Sequence, residues 1–169
     1  MKTHSEDRKE ERILALDIRA YQIGYVGVAI PNRLLAFGVA RFTSRLVGLA
    51  RLTVIMRRIH PTALVLRKIS ARSARNTAGA KVLLRSAWLA AHRSALAVSM
   101  IRDRQVRDHF GTLGVTTKYQ VALFLTKQFP ELEWKLPPPR KAWKREHPNM
   151  SIFDAAALAM TYLAPGSLR

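Results

Sequence analysis

Three apolar runs stand within the first forty-two residues with only a few residues between them: 13–18 (ILALDI), 23–30 (IGYVGVAI) and 34–42 (LLAFGVARF). Each is short and rich in branched or aromatic residues, so each reads as a strand. Connections this brief force antiparallel pairing, because a parallel neighbour needs a crossover of about a dozen residues or more. Arg19-Ala20-Tyr21-Gln22 turns the chain after the first run, and Pro31-Asn32-Arg33 joins the second to the third. Gly24, Gly27 and Gly38 do not make a nucleotide loop. GYVG lacks the GxGxxG spacing between a strand and a helix, so bulges or close packing account for them.

After the third run the pattern changes. Thr43 or Ser44 can cap a helix over 44–59 that stops before Pro61. In it Leu52, Ile55 and Ile59 share one stripe and Arg51 and Arg58 another. Residues 62–66 (TALVL) form a fourth strand, a basic stretch runs from Arg67 to Gly79, and 80–93 is helical. Residues 95–101 suit a fifth strand; Asp103 caps a short helix over 104–110 and Thr116 caps one over 117–128. Residues 129–150 are rich in proline, bases and aromatics, and 151–163 form a last apolar helix. This order predicts an α/β fold: a mixed five-stranded sheet, three antiparallel strands first, with helices on both faces. The expected organisation is one domain over 12–163, a solvated arm over 1–11 and a tail over 164–169.

Charge narrows the partners. Lys and Arg number 29 against 11 Asp and Glu, a net charge of +18. From Ile18 to Arg102 there are fifteen bases and no acid. A domain so basic faces polyanions, either nucleic acid or an anionic membrane surface. The absence of cysteine excludes disulfides, thiolate zinc sites and cysteine nucleophiles, and suits a cytoplasmic location. No apolar run reaches the ~18 residues of a membrane span. The first dozen residues lack the apolar core of a signal peptide.

Acids are scarce enough to weigh singly. Asp17 lies in the first apolar strand and Asp154 in SIFDAAALAMTYL, at the start of an apolar helix. A carboxylate among apolar neighbours is costly unless something charged meets it. Two brought together repel unless a divalent cation lies between them or one is protonated. Each also has a plainer reading: Asp154 complements a helix dipole, and Asp17 pairs with an arginine.

The order of these pieces resembles the ribonuclease H-like nucleases, and within them the RuvC-like Holliday-junction resolvases. The residues that carry the resemblance are ILALDIRAYQIGYVGVAI, LLAFGVARF, VTTKYQVA, FPELEWKLPPPRKAW and REHPNMSIFDAAALAMTYL, spread in order over 12–163. The resemblance implies a metal-dependent endonuclease of DNA recombination and repair. Such an enzyme cuts a phosphodiester with two divalent ions, Mg²⁺ or Mn²⁺, held by carboxylates. One ion activates a water and the other stabilises the leaving oxygen. By position Asp17 would be the first-strand metal ligand and Asp154 the helix ligand. It further implies branched DNA as partner, a homodimer, and no small-molecule cofactor. The chain departs from the pattern where the fourth strand ends: relatives carry an acid there, and here Arg67-Lys68 follows TALVL. Ser151 also stands where the resolvase form has a second Asp. Glu146 is the nearby substitute, either a third catalytic acid or a solvated charge. The alternatives are therefore an active endodeoxyribonuclease and an inactive nucleic-acid-binding module on the same fold.

Candidates for nucleic-acid contact are Arg19, the segment with Arg67, Lys68, Arg72 and Arg75, Lys118 at a helix start, and Arg140 with Lys141. Trp134 and Trp143 flank a triple proline and could stack on bases, although at least one of them is expected to cover the core instead. His60, His92, His109 and His147 share no metal-binding spacing. A third class, a peripheral membrane protein using helix 44–59, is weakened because that helix fits between two strands, where its stripe covers the sheet.

Overall fold

The computed structural model describes residues 10–73, 77–141 and 143–166. Its strands are β1 (Arg12–Ile18), β2 (Gln22–Ala29), β3 (Arg33–Arg41), β4 (Ala63–Arg67) and β5 (Ala97–Ile101). Its helices are α1 (Arg45–Ile59), α2 (Ala78–Arg93), α3 (Asp103–Thr112), α4 (Lys118–Gln128) and α5 (Met150–Leu163), with a 3-10 helix over Pro130–Lys135. The sheet order is β3-β2-β1-β4-β5. The first three strands pair antiparallel, and β4 and β5 add in parallel beside β1. This is the expected mixed sheet.

Alternation along β1 divides the core. Leu14, Leu16 and Ile18 face α1 and α2, together with Leu64 and Leu66 of β4. Ile13 and Ala15 face α5, with Ala63 and Val65. Since side chains alternate faces with period two, Asp17 and Arg67 fall on the α5 face. The stripe Leu52, Ile55 and Ile59 of α1 is buried against the sheet, which removes the apolar face an interfacial helix needs. Among the described residues no helix is long and apolar enough to cross a membrane.

α5 is apolar almost all round and nearly all its residues are buried, as for a helix enclosed on every side. Its start sits unusually close to the sheet. A Cβ on Gly24 would lie 2.2 Å from the Ser151 carbonyl oxygen, so only glycine admits this approach. A register shift at Gly27 and Val28 marks a bulge between β2 and β3.

Several local expectations shift. Ser44 is the cap of α1. α3 starts one residue earlier than expected: Arg102 is its N-cap and Gln105 accepts from the Arg102 N–H, so Asp103 is no cap. Thr117, rather than Thr116, caps α4, because its hydroxyl accepts from Gln120 N while Gln120 reaches back to Thr117 N. Glu10 and Glu11, expected in a solvated arm, are tied down: Glu10 pairs with Arg12 and Arg33, and the Glu11 carbonyl accepts from Ile30 N.

Candidate functional site: an ionic centre at the ends of β1 and β4

Parallel register sets Leu16 beside Leu66, so the next residues, Asp17 and Arg67, end up side by side on the α5 face. Asp17 is fully buried (0% exposed) and Arg67 is 7% exposed. Close approach of α5 over Gly24 then brings Asp154 to the same point. Glu146 enters from the segment leading into α5, and Asp103 from the start of α3, just past Ile101, which is the β5 partner of Arg67. Four of the seven acids beyond residue 11 thus converge.

Cations fill the space between them. The Arg19 guanidinium donates from Nε to Asp17 Oδ2 at 2.7 Å, from Nη1 to Glu146 Oε2 at 2.7 Å and from Nη2 to Asp154 Oδ2 at 2.6 Å. These are short, charge-assisted bonds. Arg67 places Nε 3.0 Å from Asp17 Oδ1, outside hydrogen-bond alignment, and Nη2 3.6 Å from Asp154 Oδ1. Its Nη1 donates to Asp103. Lys118, the first residue of α4, donates to Asp154 Oδ2 at 2.9 Å and to Glu146.

Electrostatics hold these groups charged. Burial opposes the charge on Arg19, but Asp17, Asp154 and Glu146 outweigh it and hold the guanidinium above its ordinary value. Burial opposes Arg67 in the same way and is outweighed by Asp17, Asp154 and Asp103. For Glu146 burial raises the carboxyl, yet Lys118 and then Arg19 bring it below its ordinary value.

Of the expected site acids, Asp17, Asp154 and Glu146 do meet. Glu146 is not a solvated charge, since Arg19 and Lys118 hold it. Asp17 does pair with an arginine, in fact with two. Asp154 is not in the first turn of α5, so dipole compensation is not its role. Ser151 is held within the fold: its hydroxyl donates to the Pro148 carbonyl at 2.8 Å and meets Gln22 Nε2 at 3.1 Å. Asp103 was missed as a member of the site, because its place before a short helix reads as a cap rather than as a partner of Arg67.

The expected contact bases divide. Arg67 is a correction: it is buried in the centre and presents no free face to a phosphate. Arg19 and Lys118 also meet carboxylates, and the anion beside the start of α4 is a carboxylate pair. Lys68, Arg72, Arg140 and Lys141 are exposed, and Arg75 lies outside the described residues. Both candidate indoles are exposed, Trp134 by 72% and Trp143 by 80%, so the expectation that one covers the core fails. Trp134 meets the edge of Phe37 at 6.3 Å between ring centres and carries Lys135 Nζ 3.9 Å from its own ring centre. Lys141 Nζ lies 5.7 Å from the Trp143 ring.

The pair of divalent ions that the sequence resemblance implies does not fit these residues. Among those described, no three carboxylate or imidazole groups are placed to share one metal, and three protein cations already bridge the acids. A metal ion would have to displace them against Coulomb repulsion.

No protein-family model matches the chain, and no curated protein matches it in sequence. Solved structures do match. Thermus thermophilus RuvC in complex with a Holliday junction substrate superposes with a TM-score of 0.65 at 20% identity, over 90% of this chain and 92% of that one. The yeast mitochondrial Holliday junction resolvase gives 0.65 at 9% identity, over 91% and 79%. The fowlpox virus Holliday junction resolvase gives 0.52 at 13% identity, over 90% and 97%. The chain has the RuvC-like, ribonuclease H-like fold.

Proposed function

We propose that this chain binds branched DNA on the face where the ionic centre meets the 134–144 segment. The observation that carries the reading is the company of that centre: Arg140 borders one cavity with Lys118 and Glu146. The same segment exposes Trp134, Lys141 and Trp143. Bases supply phosphate affinity and exposed indoles supply stacking for unpaired bases, such as those at a branch point. The shared fold supports a junction as substrate, since two of the matching proteins are named as junction resolvases and a third is bound to a junction. A homodimer in the cytoplasm, acting in recombination or repair, goes with this reading because a junction offers paired strands.

Convergence of four carboxylates favours a second reading, metal-dependent hydrolysis of a DNA phosphodiester at the same place. The guanidinium groups between the acids argue against it, so binding without cutting is what the geometry supports best. One experiment addresses both. Gel-shift titration of a four-way junction and a linear duplex of equal length is run across salt concentrations, and the junction samples are then incubated with Mn²⁺. The expected result is tighter junction binding that weakens steeply with salt, and intact strands. Equal affinity for both DNAs overturns the branched-DNA reading. Cut strands, absent from an Asp17→Asn control, establish the hydrolytic one.

A further inference from the structure

We infer that Arg19 and Arg67, assisted by Lys118, are the resident cations of this centre and take the place of a divalent-ion pair. This inference deepens the reading of the same site, but it concerns the free protein and is tested without DNA.

The bonding pattern carries it. Asp17 gives Oδ2 to Arg19 and Oδ1 to Arg67. Asp154 does the same, with Oδ2 toward Arg19 and Oδ1 toward Arg67. Two carboxylates that each bridge the same two cations reproduce the connectivity of a two-metal site, with guanidinium groups at both cation positions. The outer acids complete it, Glu146 on Arg19 and Asp103 on Arg67, one terminal carboxylate for each cation.

Geometry explains why arginine serves here. A guanidinium presents donors in a fixed planar fork, and Arg19 uses three nitrogens for three carboxylates carried by three separate segments. It therefore gathers acids from β1, α5 and the segment before α5, as a metal ion would. Lys118 adds a point charge where Glu146 and Asp154 approach. Charge agrees with the count of partners. Among the described residues three cations already stand against these four carboxylates. Adding both ions to the centre as it stands would leave a positive excess around a fully buried Asp17, which low dielectric makes costly.

The inference predicts a metal-indifferent protein whose indifference is removed by deleting a cation. Mn²⁺ binding is followed by electron paramagnetic resonance, and thermal unfolding is compared in Mn²⁺ and in EDTA. For the unaltered chain the expected result is no saturable Mn²⁺ site and the same melting temperature in both. Arg19→Gln and Arg67→Gln are expected to melt lower in EDTA and to recover in Mn²⁺. Since either could fail to fold, Lys118→Gln is the second line: its side chain is half exposed, so the fold should survive. Removing one positive charge a few ångströms away should raise its Mn²⁺ affinity by about tenfold or more. A saturable Mn²⁺ site in the unaltered chain that disappears in Asp17→Asn overturns the inference. So does a folded Lys118→Gln protein that gains no affinity for Mn²⁺. Neither result bears on junction binding, which is measured separately.

Discussion

Two basic regions lie side by side in this molecule and behave in opposite ways. Arg19 and Arg67, at the ends of β1 and β4, are withdrawn from solvent and saturated with carboxylates. Arg140 and Lys141, in the segment before α5, stand exposed beside exposed indoles. The contrast teaches that a net charge of +18 is not one surface. Some of the bases hold the fold together, and only the remainder can meet a polyanion. Buried ion pairs respond to the loss of a partner with large changes in stability and weakly to salt. Exposed bases respond the other way round.

The largest expected effect tests the buried region. Asp17→Asn leaves two guanidinium groups short of a partner in the core, a change that costs about 3–5 kcal/mol in comparable sites. Urea denaturation should show the midpoint falling accordingly. A loss below about 1 kcal/mol would mean that the centre is more hydrated than its burial indicates.

The exposed indoles come next. Trp134→Ala and Trp143→Ala should each weaken junction binding by about 1–3 kcal/mol if they stack on unpaired bases. Their melting temperatures should stay close to that of the parent, since neither ring covers the core. An unchanged affinity assigns the indoles no role in DNA contact.

Arg140→Ala and Lys141→Ala sharpen the same comparison through salt. Each should lower the slope of log affinity against log salt by about 1 while changing stability by no more than about 0.5 kcal/mol. Should stability fall markedly instead, the distinction between the two regions collapses.

The smallest effect is on pH. The Glu146 carboxyl is held below its ordinary value of 4.5, as Lys118 and Arg19 outweigh burial. A group lowered in the folded state stabilises it fully above the unfolded value and loses that contribution as pH falls through the folded one. The stability gap between the parent and Glu146→Gln, read by urea denaturation across pH, should therefore be complete at neutral pH, at about 1 kcal/mol or less. It should close below about pH 4.5. A gap that persists at low pH points to packing rather than charge.

Much of the fold was legible because local rules suffice for it. Strands separated by four or fewer residues pair antiparallel, whereas the uniformly apolar run ILALDI marks a buried strand without saying which residue faces which layer. The caps were legible only to within a residue, as Thr117 for Thr116 shows. The site was legible in its acids and illegible in its cations. Asp17 and Asp154 declared themselves as charges in apolar surroundings, a conflict visible in one dimension. Arg67 appeared as the first of a basic run when it is the last, buried residue of β4. Nothing local told it apart from Lys68, which is exposed. Asp103 gave the signal of a helix cap and proved to be a partner of Arg67.

What the sequence determined by itself was the succession of strands and helices along the chain and the need for the Asp17 carboxylate to find a charged partner. Which partner it found was decided by the tertiary structure. Parallel register between β1 and β4 sets Arg67 beside it, and the approach of α5 over Gly24 carries Asp154 within reach of the same guanidinium groups. An ion pair depends on distance in space, and residues 17, 67 and 154 become neighbours only when the sheet and α5 have closed around them.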